Sequence, residues 1–212
     1  MIQIHHLTKR YGKQTVLRDV CAKLNPGTIY GLVGINGSGK TTLMRCICGF
    51  TRPTSGFVIV GGKEIGREAD FPDNTGIIIE SPGFLAHYSG IQNLMLLACV
   101  SHKADRRRVE QAMRLVRLAP DNKKPVGQYS LGMRQRLGIA QAVMEDPDIL
   151  ILDEPFNGLD RDGVREIHEL LQQLKARGKL ILLASHSEHD IGRACDVVFE
   201  IKDGVMSELK GR

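Results

Sequence analysis

Gly34-Ile35-Asn36-Gly37-Ser38-Gly39-Lys40-Thr41-Thr42 follows the apolar run Ile29–Val33 and leads into a segment of helical pattern. The glycines remove side chains that would keep backbone N–H groups from converging on phosphate oxygens. A helix predicted to begin near Lys40 and stop at Gly49 adds the positive end of its dipole. Lys40 offers a point charge to β- and γ-phosphates, and the Thr41 hydroxyl is a ligand for Mg²⁺. Asn36, Gly37, Ser38, Gly39 and Thr42 complete the cradle. Strand, loop and helix in this order predict a site for a nucleoside triphosphate.

A second segment belongs beside it. Ile149-Leu150-Ile151-Leu152-Asp153-Glu154-Pro155 is an apolar strand ending in two carboxylates. Ligands of an open parallel sheet sit beyond its C-terminal strand ends, which brings Asp153 and Glu154 to the phosphate loop. Asp153 suits coordination of Mg²⁺, and Glu154, one residue on, suits orienting or deprotonating an attacking water.

The remaining pattern is alternating. Strands are predicted at Ile2–Leu7, Val16–Leu24, Phe57–Val60, Ile77–Ile79 and Leu180–Ala184, with a closing hairpin of Val197–Ile201 and Val205–Leu209 around Lys202-Asp203-Gly204. From about Gly90 to Glu145 the periodicity is helical. Ile91, Leu94, Leu97 and Ala98 form one predicted face, and Val109, Ala112, Met113 and Val116 another. This stretch reads as a helical lobe inserted into a buried parallel sheet, and a further helix is predicted near Gly163–Lys175. No repeat or low-complexity tract interrupts the chain.

Composition excludes several classes. The 212 residues are 42% apolar and 25% charged, as in a folded globular domain. The longest apolar run, Leu94 to Val100, falls far short of the about 20 residues a membrane helix needs. The opening MIQIHHLTKR lacks the layout of a secretion signal, and five cysteines without framework spacing point to reduced thiols in a cytosol. No further domain is expected after Arg212. The net charge is +5, densest from Lys103 to Arg108, but aromatics are only 5% and do not interleave with it. That stretch reads as a solvated helix face, and no nucleic acid is expected. His186 and His189 lack companion ligands for zinc, and Cys46 and Cys48 point to different sides of their helix.

Tyr129-Ser130-Leu131-Gly132-Met133-Arg134-Gln135-Arg136 precedes a predicted helix shortly before the acidic strand. A serine and a glycine at a helix N-terminus make a second anion site. The segment resembles the signature sequence of the ATP-binding subunits of ABC transporters, in a variant of the Leu-Ser-Gly-Gly-Gln form. Ser130 and Gly132 match its key positions, while Leu131 and Met133 depart from it. The resemblance covers essentially the whole chain. It implies an α/β fold: a P-loop NTPase core with a mostly parallel sheet, an N-terminal antiparallel β subdomain, and a helical lobe at about residues 84–145. Residues 1–212 would form a single ATP-binding domain.

Further positions follow from that resemblance. Tyr11 stands where the family stacks an aromatic on adenine. Asn157-Gly158-Leu159-Asp160 matches the loop that crosses to a partner subunit, and His186 matches the histidine that contacts the γ-phosphate. Glu80, in Ile79-Glu80-Ser81-Pro82-Gly83, replaces the usual glutamine that touches Mg²⁺ or the water. A glutamate there resembles bacterial exporters of lantibiotic self-immunity and bacitracin-type resistance. Its extra charge should strengthen metal binding and repel phosphate when the metal is absent.

Implied ligands are ATP and Mg²⁺, with Glu154 as base, His186 on the γ-phosphate, Lys40 and the loop amides stabilising charge, and Thr41, Glu80 and Asp153 on the metal. Implied partners are separate transmembrane permease subunits, and a homodimer or a heterodimer with a sibling ATPase. The implied location is cytoplasmic, on the inner face of the membrane through the permease. A soluble ATPase of iron–sulfur assembly and a haem-related export subunit are the alternatives. A DNA-repair ATPase is disfavoured, since no heptad coiled coil separates Thr42 from Tyr129.

Overall fold

The computed structural model describes residues 1–80 and 83–209. Ser81 and Pro82, quoted above with Glu80, lie outside the described residues, as do residues 210–212, on which the expectation about Arg212 falls.

Strands β1 (Ile2–Tyr11), β2 (Gln14–Leu24), β4 (Ser55–Val60) and β5 (Lys63–Glu64) form an antiparallel sheet in the order β2-β1-β4-β5. A second sheet contains β3 (Ile29–Val33), β6 (Thr75–Ile78), β7 (Ile149–Asp153), β8 (Leu180–Ala184), β9 (Val197–Lys202) and β10 (Val205–Leu209). Its order is β10-β9-β3-β8-β7-β6, parallel from β9 to β6, with β10 antiparallel at the edge. Every residue of β3, β7 and β8 is buried, which their continuous apolar sequences require of a sheet covered on both faces.

The helices are α1 (Lys40–Ile47), α2 (Gly90–Ser101), α3 (Arg106–Leu115), α4 (Leu131–Val143), α5 (Arg161–Ala176) and α6 (Glu188–Ala194). α2, α3 and α4 fall between β6 and β7 in the chain. Their buried residues, including Leu94, Val109, Met113 and Leu137, join one face of the parallel sheet in a single core. On the other face α1 and the antiparallel sheet close a second core around Ile2, Leu7, Leu17, Leu43 and Met44.

Register positions the site. Ala184, the last residue of β8, is paired with Leu32 of β3 and with Asp153 of β7. The chain therefore leaves these three strands at one level, where the phosphate loop, Glu154 and Ser185–His186 meet.

Some local expectations change. Leu97 does not share the buried face of α2 but is 39% exposed; that face is centred on Leu94 and Ala98, and Leu97 falls at its margin. The strand expected at Ile77–Ile79 runs instead over Thr75–Ile78, paired with Ile149–Leu152. β5 and α6 were not anticipated: one is too short to show a period, the other a seven-residue polar helix started by its Ser187 cap. The basic stretch lies partly on α3, where Arg106 and Arg114 both pair with Glu110 at the surface. Among the described residues no helix is long and apolar enough to cross a membrane.

Candidate nucleotide site

The loop from Gly34 to Gly39 is built for close approach. Gly34, Gly37 and Gly39 all have positive φ, at 150°, 81° and 115°, where a side chain would strain the backbone. α2, α3, α4, α5 and α6 each carry a side-chain cap, whereas α1, entered through Gly39, has none. Its first N–H groups stay free to receive an anion. The Ser38 hydroxyl is buried and among the described residues has no hydrogen-bond partner, which an unliganded interior would penalise and a phosphate oxygen would satisfy. Lys40 is buried and its Nζ donates to the carbonyls of Gly34, at 2.6 Å, and Ile35, at 3.2 Å.

Facing the loop, the Thr41 hydroxyl donates to Asp153 Oδ2 at 2.7 Å. Burial pushes the Asp153 carboxyl above the usual range; neighbouring Glu154 and Glu80 add to the rise, while Thr41 and Lys40 oppose it. A cation beside it would reverse that shift. The hydroxyl and carboxylates of Thr41, Asp153 and Glu80 are a hard oxygen donor set, which fits Mg²⁺. A cleft of about 360 Å³ has Asn36, Gly37, Gly39, Lys40, Thr41, Thr42, Glu80, Asp153 and Glu154 in its lining.

Glu154 leaves β7 with φ of 49°, a left-handed backbone unusual for its type. Its Oε2 accepts from the Ser185 hydroxyl at 3.0 Å, and its Oε1 from the His186 backbone N–H at 3.0 Å. The His186 ring Nδ1 also lies 3.0 Å from Oε1, so that histidine engages the carboxylate. Glu80, likewise at positive φ, is held by an ion pair with Arg45 of α1 at 2.8 Å.

Tyr11, Ser130 and Gly132 are not in the cleft lining, although Leu131 and Gln135 of the same segment as Ser130 are. Tyr11 is 48% exposed at the end of β1, with the Lys9 ammonium over its ring. Ser130 caps its own helix by accepting from Met133 N–H at 3.2 Å. Gly132 packs so closely on the Gly158 carbonyl that an added Cβ would lie 2.7 Å from it, which locks this segment to the Asn157–Asp160 loop.

Sequence reasoning missed Arg45, Ser185 and Gln135. Gln135 lines the cleft and donates to the Glu154 carbonyl at 3.1 Å, tying α4 to the acidic strand end. Its place within the Tyr129–Arg136 segment was a usable signal; Arg45 and Ser185 have none outside the tertiary structure.

The ABC transporter family profile matches residues 17–157. The chain belongs to the ABC transporter family. This ABC protein is 41% identical over 204 residues, 96% of the chain and 94% of the relative, to an uncharacterized ABC transporter ATP-binding protein, YybJ, of Bacillus subtilis (strain 168). It is 39% identical to the bacitracin transport ATP-binding protein BcrA of Enterococcus faecalis, over 98% of the chain and 68% of that protein. It is 36% identical to the lantibiotic transport ATP-binding protein SrtF of Streptococcus pyogenes, over 96% and 88%. A solved ATP-binding subunit of an ABC transporter superposes with TM-score 0.87 at 28% identity, over 99% of the chain and 90% of that chain. A dimeric ATP-binding cassette with bound ADP and Pi shares the fold, with TM-score 0.87 at 22% identity over the full length of both. The chain is thus an ATP-binding, ATP-hydrolysing subunit of the ABC class. These relatives favour transport over iron–sulfur assembly.

Proposed function

We propose that this ATPase energises export of a peptide antibiotic of the bacitracin or lantibiotic kind. The names of the related bacitracin and lantibiotic transport proteins support that cargo class, as does Glu80 in the place of the usual glutamine. In this reading residues 1–212 are one ATP-binding domain with a helical lobe at about 84–145. It works at the inner face of the membrane, on separate permease subunits, as a homodimer or with a sibling ATPase.

The observation that carries the chemistry is the convergence of Ser185, His186 N–H and His186 Nδ1 on the Glu154 carboxylate, beside Asp153 and the phosphate loop. Held by these contacts, Glu154 takes the proton of a water whose oxygen bonds to the γ-phosphorus as the β–γ bridge breaks. His186 is positioned to turn from Glu154 to the γ-phosphate. Lys40 exchanges its two loop carbonyls for β- and γ-phosphate oxygens, and the α1 N–H groups with Asn36, Gly37, Ser38, Gly39 and Thr42 hold the rest of the triphosphate. Thr41, Asp153 and Glu80 would hold Mg²⁺, which supplies charge neutralisation. Tyr11 receives adenine. Ser130 and Gly132 close over ATP bound to a second subunit, so that two composite sites form.

The test is to tag the chain in its native cell, solubilise the membranes gently and identify what co-purifies, alongside growth of a deletion strain on bacitracin and on a lantibiotic. A stoichiometric multi-span protein with sensitivity to either compound is the expected result. A purely soluble complex with unchanged resistance would overturn the transport reading while leaving the ATPase intact.

A further inference from the structure

On the antiparallel sheet, β1 and β2 pair irregularly. Ile4 pairs with Ala22 and Leu7 with Val20, so His5 and His6 together oppose Cys21 alone. Leu7 pairs with Val20 and Lys9 with Leu17, so on the other strand Arg18 and Asp19 oppose Thr8. Each strand thus carries a bulge facing the other, and bulges re-aim side chains. His6 and Asp19 both sit at positive φ, 46° and 49°. The result is a convergence of three unlike donors, the His6 ring, the Asp19 carboxylate and the Cys21 thiol, all exposed and with donor atoms within 4.8 Å of one another. His6 Nδ1 lies 2.7 Å from Asp19 Oδ1, and the His6 backbone N–H points at Cys21 Sγ at 3.2 Å. His5 turns away to stack on Phe57.

We propose that His6, Asp19 and Cys21 bind a divalent transition-metal ion of the zinc class. Imidazole plus thiolate selects a borderline or soft ion over Mg²⁺ or Ca²⁺. Tetrahedral zinc would set these donors roughly 3.3–3.6 Å apart, within reach of side-chain rotation from the positions seen. Three protein donors leave a fourth position for water or an added ligand. The ion would clamp β1 to β2 where their ladder is broken.

The experiment uses the full, untagged, reduced chain without nucleotide, in millimolar Mg²⁺ to occupy the oxygen donors of the nucleotide cleft. Zinc is titrated against a chromogenic chelator, and Co²⁺ is added separately to look for a thiolate charge-transfer band. A single equivalent of tight zinc and a cobalt–thiolate band are expected. Cys21→Ser should abolish the band and, like His6→Ala, weaken zinc by about tenfold or more, while Cys99→Ser leaves both intact. Zinc should also shield Cys21 from alkylation in the unaltered chain, a readout that needs no variant to fold. Absence of zinc binding, or affinity unchanged in both Cys21→Ser and His6→Ala, or Cys21 alkylated at the same rate with zinc present, would overturn the site.

Discussion

Glu154→Gln separates chemistry from structure at the acidic strand end. The amide oxygen can still accept from the His186 N–H, now 3.0 Å from Oε1, and the new NH₂ can donate to Ser185 Oγ, now 3.0 Å from Oε2. Ser185 Oγ already accepts from Ser187 N–H at 3.1 Å and keeps a second lone pair for this bond. Folding should therefore change by less than about 1 kcal/mol. The amide cannot take a proton from water, and loss of a general base typically costs 10²–10⁴ in rate, or about 3–5 kcal/mol in the barrier. Phosphate release at saturating ATP should fall by about that factor, with ATP affinity by equilibrium binding nearly unchanged and the melting midpoint within a degree or two. A folded, ATP-binding variant that turns over within threefold of the parent would refute Glu154 as base.

Other outcomes follow from the same contacts. Glu80→Gln removes the ion pair to Arg45 and one carboxylate from the cleft, so half-maximal hydrolysis should need more Mg²⁺; an unchanged Mg²⁺ titration would count against a metal contact. Gly76→Ala would place a methyl 2.0 Å from the Ala142 carbonyl oxygen, so overpacking of about 1–3 kcal/mol should lower the midpoint by roughly 3–10 °C in a thermal melt. Asp153 is raised chiefly by burial, so its ionisation weakens folding as pH climbs through its unfolded and then its folded value. Asp153→Asn should melt a few degrees higher than the parent at pH 7, and the two should converge below about pH 4, where both forms are neutral. Burial pushes the thiols of Cys46 to about 11 and of Cys48 and Cys195 to about 12, whereas Cys21 and Cys99 are exposed. Iodoacetamide at pH 8 should modify those two alone in the native chain, as read by intact mass.

The sequence was most informative where one short segment contains its own reason. Gly34–Thr42 states its turn, its helix start and its charge within nine positions, and Ile149–Glu154 shows a buried strand ending in carboxylates. The buried faces of α3 and of β3, β7 and β8 were legible because period and burial agree over whole elements. Leu97 was misjudged because periodicity gives a face but not how much of it a neighbour covers. β5 and α6 escaped because so few residues show no period.

What the sequence determined by itself is local: a glycine turn at positive φ that leads into α1, and a buried strand that ends in Asp153 with Glu154 directly after it. Those depend on contacts between residues close in the chain, where local geometry is set by residue type. What only the tertiary structure decided is who meets whom. The pairing of Ala184 with both Leu32 and Asp153 delivers Ser185 and His186 to Glu154, α1 offers Arg45 to Glu80, and two facing bulges gather His6, Asp19 and Cys21. Each is set by register between strands or by packing of a helix on a sheet, and a register is a relation between distant segments that no single segment's pattern encodes.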